Sequence, residues 1–228
     1  MKKMIWSAIL IFLTGLLSRA QTVYINPEFD SLAKGHKELA ILPFKVTLKL
    51  KRGKMKKLEI EDLIKIEKAE GEAVQNALFD YFLKQKGKDS FKVSFQDITK
   101  TNALLAEIGW TNDSYRPKNI EEICRRLKVD GVITGTVITT NLLSDEAAAG
   151  LYALGIIAAI GTFGQTGIDG PGPTNKGTCT IIIHDSKTGE LLWRYEKTLS
   201  RGMGSTTQSV INAMMRKVSK KFPYEDIK

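Results

Sequence analysis

The sequence predicts an α/β fold: one domain whose mixed sheet is mostly parallel, ends in an antiparallel hairpin and is flanked by helices. Three observations carry that expectation. Short β-branched or apolar runs alternate with stretches whose apolar residues recur at three- and four-residue steps. Two such runs late in the chain bracket a glycine turn. No repeat and no linker divides the domain, which extends over residues 38–225 and carries an apolar Gly/Ala-rich insertion at 144–176.

The chain opens "MKKMIWSAILIFLTGLLSRAQ": two lysines, an apolar stretch from Met4 to Leu17, then small residues before Gln21. That is the layout of a secretory signal peptide over residues 1–20, cleaved at Ala20/Gln21. The apolar stretch is shorter than the roughly 20 residues a spanning helix needs; an uncleaved anchor is the alternative. No cysteine follows it, so there is no thiol for a lipoprotein anchor. Residues 21–37 have no sustained period and read as an extended N-terminal arm.

"LAILPFKVTL", from Leu39, reads as the first strand, with Pro43 marking a bulge or the edge of regular pairing. After a basic loop comes a long helix to about Lys86, on which Leu63, Ile66, Ala73, Val74, Ala77, Leu78, Tyr81 and Phe82 share a face; Gly87 fits its C-cap. "FKVSF" is a second strand. Asp97 caps a short helix that stops at Gly109, and Asn119 caps the helix of Cys124. "VDGVITGTVIT" is a β-branched strand, and "TCTIIIHDSKTGELLWRYEKTL" a hairpin with Gly189 in its turn. A last helix runs from Ser205 or Thr206 to Pro223.

The mature chain of about 208 residues can bury a core without disulfides. Cys124 and Cys179 read as small core residues, although an exported protein allows a disulfide. The formal net charge of +9 falls to +6 when Lys2, Lys3 and Arg19 leave with the acid-free leader. A basic exported protein meets anionic envelope surfaces, and export argues against nucleic acid as a partner.

The inventory of reactive groups is poor. His36 lies in the polar arm, and His184 stands beside Asp185 at a strand end. A Ser-His-Asp relay needs an exposed serine on a sharp turn, and the sequence has no G-x-S-x-G elbow. The glycines at 161, 164, 167 and 170 lack the Lys-Ser/Thr pair of a phosphate loop. Clustered metal ligands are missing too, so no cofactor and no metal is expected. A glycan hydrolase would need two acids flanking a cleft, and Asp62, Glu107, Asp130 and Asp145 have no spacing that pairs them.

Two surfaces stand out instead. Lys49, Lys51, Arg52, Lys54, Lys56 and Lys57 crowd the end of the first strand and its loop, as a solvated face or an anionic-surface contact. No charge occurs between Glu146 and Asp169, where Leu151, Tyr152, Leu154, Ile156, Ile157, Ile160 and Phe163 form the candidate interaction segment. Small residues at helical steps, Ala149 to Ala153 and Gly155 to Ala159, would let another helix approach closely. Two placements are open for it: a helix folded on its own sheet, or one that projects to contact membrane or self-associate.

"ELAILPFKV", "RRLKVDGVITGTV" and "IIIHDSKTGELLWRYE" occur in that order. They resemble the periplasmic α/β domain shared by the curli-secretion pore subunit, the penicillin-binding-protein activator lipoproteins and the N-terminal domain of the Tol-Pal propeller protein. The matching positions are Pro43-Phe44, Val129 to Gly135 and Asp185 to Trp193, within a resemblance that spans roughly Glu38 to Pro223. It implies a non-enzymatic envelope role through protein contacts. Two departures stand against it: the lipoprotein cysteine is absent, and the apolar run lacks the alternation of a membrane hairpin.

The expectation is thus an exported, non-enzymatic cell-envelope protein, periplasmic or associated with the outer membrane. Its partner would be an envelope protein in an outer-membrane or cell-wall assembly, with membrane-surface contact and homo-oligomer formation as further expectations. The alternative is a membrane-associated oligomeric subunit like that of a secretion pore, and an envelope hydrolase ranks below both.

Overall fold

The computed structural model of the chain describes residues 22–49, 59–86, 91–111, 120–139, 175–201 and 222–224. Its strands are β1 (Thr22–Ile25), β2 (Glu38–Ile41), β3 (Lys45–Leu48), β4 (Ser94–Phe95), β5 (Gly131–Thr139), β6 (Asn175–Asp185) and β7 (Leu191–Arg201). The helices are α1 (Phe29–Leu32), α2 (Ile60–Lys86), α3 (Ile98–Glu107) and α4 (Ile120–Leu127). The seven strands form one sheet in the order β1-β7-β6-β5-β2-β4, and β3 pairs with β5 beyond the end of β2. β2 and β3 run parallel to β5, and β4 runs parallel to β2. The β5–β6, β6–β7 and β7–β1 ladders are antiparallel. This is the mixed α/β sheet that the sequence predicts, with its longest ladders on the antiparallel side.

Each helix forms for a reason visible in the chain. On α2 the buried apolar side chains are Ile66, Ala73, Val74, Ala77, Leu78, Tyr81 and Phe82, which recur on one face of the helix. Glu61 and Asp62 lie in its first turn, where carboxylates favour the helix dipole. The Lys100 amide donates to the Asp97 side chain at the start of α3, and Gly109 closes that helix at a φ of +61°. α4 buries Ile120, Ile123, Cys124 and Leu127 and places acids in its first turn and arginines in its last.

The sheet separates two cores. On one face α2 packs over Ile41, Phe44, Ile133, Ile181, Ile183, Trp193 and Tyr195, with Phe222 and Tyr224 joining the cluster. On the other face α3 and α4 cover Ala40, Leu42 and Val132. Cys179 belongs to the first core and Cys124 to the second, so the sheet stands between two free thiols. Burial pushes both thiols up to about 12; they behave as small apolar residues.

Three segments differ from the sequence expectation. The arm is extended only over Thr22–Ile25, where it pairs with β7; Phe29 then enters the core and a helical turn forms around it. Asn26 fixes that turn, its side-chain oxygen accepting from the Glu28 amide at 2.9 Å. The first strand is two strands, because the chain leaves its ladder at Leu42–Phe44 and rejoins β5 at Lys45. Of "FKVSF" only Ser94 and Phe95 pair with β2, since the chain bends at Lys92–Val93, where the Lys92 amide donates to the Tyr224 carbonyl instead. Gly87, Asn119 and the last helix before Phe222 lie outside the described residues.

The break around Pro43 is held from both sides. The Phe44 amide donates to the Gly71 carbonyl of α2 at 3.2 Å, and a side chain at Gly71 would collide with the Phe44 carbonyl. The Phe44 ring occupies the space a side chain at Gly135 would need, and the Thr180 carbonyl closes the same space from β6. Alanine at either glycine forces backbone or a buried ring to move. Gly71→Ala and Gly135→Ala are each expected to destabilise the domain by about 1–3 kcal/mol or more, whereas exposed Gly35, with open space around it, tolerates alanine. Chemical denaturation of the three variants checks this.

Candidate functional site

Two constellations emerge, one closed and one open. The closed one joins His36, Asp185 and Tyr224. His36 Nε2 lies 2.9 Å from Asp185 Oδ1, and Nδ1 lies 2.6 Å from the Tyr224 hydroxyl. An ionised carboxylate only accepts, so Nε2 carries the proton, and in the neutral ring Nδ1 accepts from the tyrosine O–H. The other Asp185 oxygen accepts from the Lys187 and Thr188 amides and from the Thr188 hydroxyl, which shapes the β6–β7 turn. Gly189 completes it at a φ of +67°. Asp130 does parallel work at the start of β2, one oxygen accepting from the Lys37 and Glu38 amides at 2.7 and 3.0 Å.

An acid, an imidazole and a hydroxyl in a row look like a catalytic relay. Here the His36 and Asp185 side chains are 3% and 1% exposed and Tyr224 is buried. The buried trio ties together the N-terminal arm, the hairpin turn and the C-terminal segment. Nothing local in the sequence announces it, because its partners lie 149 and 188 residues apart.

Electrostatics follow from this burial. Burial alone would raise the Asp185 carboxyl, but hydrogen bonds from Thr188, His36 and Lys187 outweigh it and hold the group below its ordinary value. Burial, then the charges of Asp185 and Asp130, push the Tyr224 phenol well above its usual range. His184 on β6 is lowered, since burial disfavours its charged form more than its bond to the Gly189 carbonyl favours it.

The open constellation is a groove of about 500 Å³ beside β3. Pro43, Lys45 and Val46 form one wall, Ile64, Glu67, Lys68 and Glu72 of α2 a second, and Asn102, Leu105 and Ala106 of α3 a third, with Trp110 and Thr111 at the end. The spacing of the two helices is set by a buried amide pair. Gln75 donates to the Ile41 carbonyl at 2.7 Å and to Asn102 at 2.9 Å, and Asn102 returns a bond to Gln75 at 3.1 Å. A second hollow of about 360 Å³, lined by Glu107, Glu122, Ile123 and Arg126, lies on the other side of Trp110.

Of the residues the sequence marked for binding, Lys49 is exposed immediately after β3. Lys51, Arg52, Lys54, Lys56 and Lys57 lie outside the described residues, as do Leu151, Tyr152, Leu154, Ile156, Ile157, Ile160 and Phe163. What the structure does fix is where those segments leave the sheet. Leu48 pairs with Thr139, and Thr139 with Gly177, so the basic segment and the insertion depart from one end. The sequence reading missed the groove; its walls come from residues 43–111 and carry no local motif. Among the described residues no group of three or more His, Cys, Asp or Glu side chains could hold a metal ion, and no helix is long and apolar enough to cross a membrane.

The pKa directions predict an acid-sensitive fold. His184 has a folded value below its unfolded one of about 6.5, so its contribution is complete above that pH and is lost as pH falls toward the folded value. Asp185, also depressed, loses its contribution lower, as pH falls from its unfolded value of about 3.9 through the folded one. Melting temperature is expected to drop in two stages on acidification, with His184→Gln flattening the upper stage only. Tyr224→Phe, which leaves His36 Nδ1 without its hydrogen-bond partner, is expected to cost about 1–3 kcal/mol at neutral pH in a denaturant titration.

No family model matches the chain, and no curated protein matches it. Solved structures give likenesses at low identity. A lipoprotein from Neisseria meningitidis is 11% identical, over 81% of this chain and 94% of that one, at a TM-score of 0.40. The LpoB C-terminal domain from Salmonella enterica is 9% identical, over 77% and 94%, at 0.36. The PelC dodecamer from Paraburkholderia phytofirmans is 14% identical, over 88% and 94%, at 0.39.

Proposed function

We propose that this chain is an exported, non-enzymatic cell-envelope protein that acts by binding another envelope protein, as an accessory or regulator of an outer-membrane or cell-wall assembly. The observation that carries the reading is the shared register row of Leu48, Thr139 and Gly177. Through it the basic segment after Lys49 and the uncharged run from Ala147 to Ile168 start from the same end of the sheet. A cationic stretch beside an apolar one suits contact at an anionic envelope surface, where the charges steer approach and the apolar side chains supply affinity. The closed tie of His36, Asp185 and Tyr224 lies at the other end, near Gly131, and keeps that end of the sheet assembled.

The second reading, a membrane-associated oligomeric subunit, draws on the same row. The apolar run sits on the connection between two neighbouring antiparallel strands, so it can leave and rejoin the sheet without disturbing the ladder. One experiment addresses both. Replacing Ala147–Gly172 with a Gly-Ser linker is expected to leave thermal unfolding cooperative while removing the cross-linked partner recovered from native envelopes. Light scattering on the parent protein is expected to show a monomer or small oligomer; a ring of many subunits favours the second reading. Loss of folding on deletion would place the segment in the core and remove both.

A further inference from the structure

The sheet treats its two edges differently. On one side β4 contributes only Ser94 and Phe95, and α2 takes the Phe44 and Leu48 amides through its Gly71 carbonyl and Glu67 carboxylate. Short or covered edges of this kind resist pairing with another chain. The other edge is β1. The Asn26 amide donates to the Leu192 carbonyl, which sets the alternation along the β1–β7 ladder. Thr22 and Tyr24 turn their backbone groups toward β7, and Val23 and Ile25 turn theirs outward. Among the described residues, no hydrogen-bond partner meets the outward amide or carbonyl of either residue.

Nothing within β1 blunts that edge. Thr22–Ile25 holds no charge and no proline, and its register with β7 runs without a bulge. Large apolar side chains stand exposed on both of its faces: Tyr24 is 44% and Ile25 51% accessible. Ile25 shares a face with Val23, which packs against the core under α2. Tyr24 lies on the opposite face beside Arg194 of β7, whose charge is already joined to Glu196. An open strand edge selects an extended backbone, because only a strand returns hydrogen bonds at strand spacing.

We propose that β1 pairs with β1 of a second copy of this chain, antiparallel and about a two-fold axis through Tyr24, so that two sheets join into one. This register sets Val23 against Ile25 of the second copy, and Ile25 against its Val23. Each pair exchanges two backbone hydrogen bonds, which uses every outward group of the edge. Tyr24 then faces its own counterpart at the closer, non-hydrogen-bonded spacing, where aromatic cross-strand pairs are favourable. A second copy fits better than a charged partner strand, because an uncharged edge meets its own image without repulsion and offers a charged one no counter-charge. The inference goes beyond the partner-binding reading and does not draw on its segments. Those leave from β3, β5 and β6, whereas β1 lies beyond β7.

Sedimentation velocity on the protein purified after export, over a dilution series from about millimolar to low micromolar, tests this. A four-residue edge is far smaller than the roughly 1,200–2,000 Å² of tight complexes, so a reversible dimer that dissociates within the series is expected. Tyr24→Lys and Ile25→Lys, each placing a charge at the joint, are expected to weaken it by about tenfold or more; circular dichroism confirms that both variants fold. Tyr24→Cys reads the register. Opposed residues of a non-hydrogen-bonded pair lie about 4.5 Å apart at Cα, a spacing that suits a disulfide. Oxidised glutathione is therefore expected to link two copies through Tyr24→Cys and not through Thr22→Cys, whose counterpart is Asn26. Replacing Ala147–Gly172 with a Gly-Ser linker is expected to leave the dimer intact. A monomer at every concentration would overturn the proposal, as would a dimer that survives both lysine substitutions. A dimer lost with the insertion but kept by the lysine variants would place self-association in that segment instead. Linkage through Thr22→Cys without linkage through Tyr24→Cys would overturn the register. None of these outcomes changes the envelope cross-linking result, which reads the broader function on its own.

Discussion

Phe44 holds this fold together at the point where its strands change lanes. Its ring fills the volume above Gly135, and its backbone meets α2 at Gly71 closely enough that neither glycine can carry a side chain. The chain can therefore step off β5 for Leu42–Phe44 and rejoin it as β3 without losing its parallel partner. Leu42 keeps one bond across the step, to the Ile133 carbonyl at 2.9 Å. Burying a phenylalanine is worth about 1.5–3 kcal/mol, but the placement matters as much, because it fixes three elements at once.

The two ends of the sheet then have different duties. At the end where β5 begins, buried charge and hydrogen bonds draw distant parts of the chain together: Asp130 binds the start of β2, and Asp185 binds both its own turn and His36. At the other end β3 has an outward edge, α2 and α3 are held apart by Gln75 and Asn102, and a groove opens between them. The basic segment and the apolar insertion start from that same end.

Much of this was legible from local chemistry. Asp97, Gly109 and Gly189 do what their residue types suggest, since a cap or a positive φ is decided within a few residues. The β-branched run of β5 and the hairpin of β6 and β7 follow for the same reason. The Pro43-Phe44 and Gly135 positions, read only as fold signatures, acquire a cause in the contact between them. What escaped the reading depends on distance. His36 looked like a polar arm residue because Asp185 and Tyr224 are far along the chain. β4 looked longer because nothing in "FKVSF" says that the chain bends at Lys92–Val93, where the Lys92 amide meets the distant Tyr224 carbonyl. The groove was invisible for a similar reason: it lies between β3, α2 and α3, and no single segment announces it.

The central claim is that α2 seals β3's outer edge at Phe44 and Leu48. Residue-resolved amide hydrogen exchange tests this most directly. The Phe44 and Leu48 amides are expected to exchange slowly, through their bonds to the Gly71 carbonyl and the Glu67 carboxylate. Fast exchange at Phe44 or Leu48 would contradict the account.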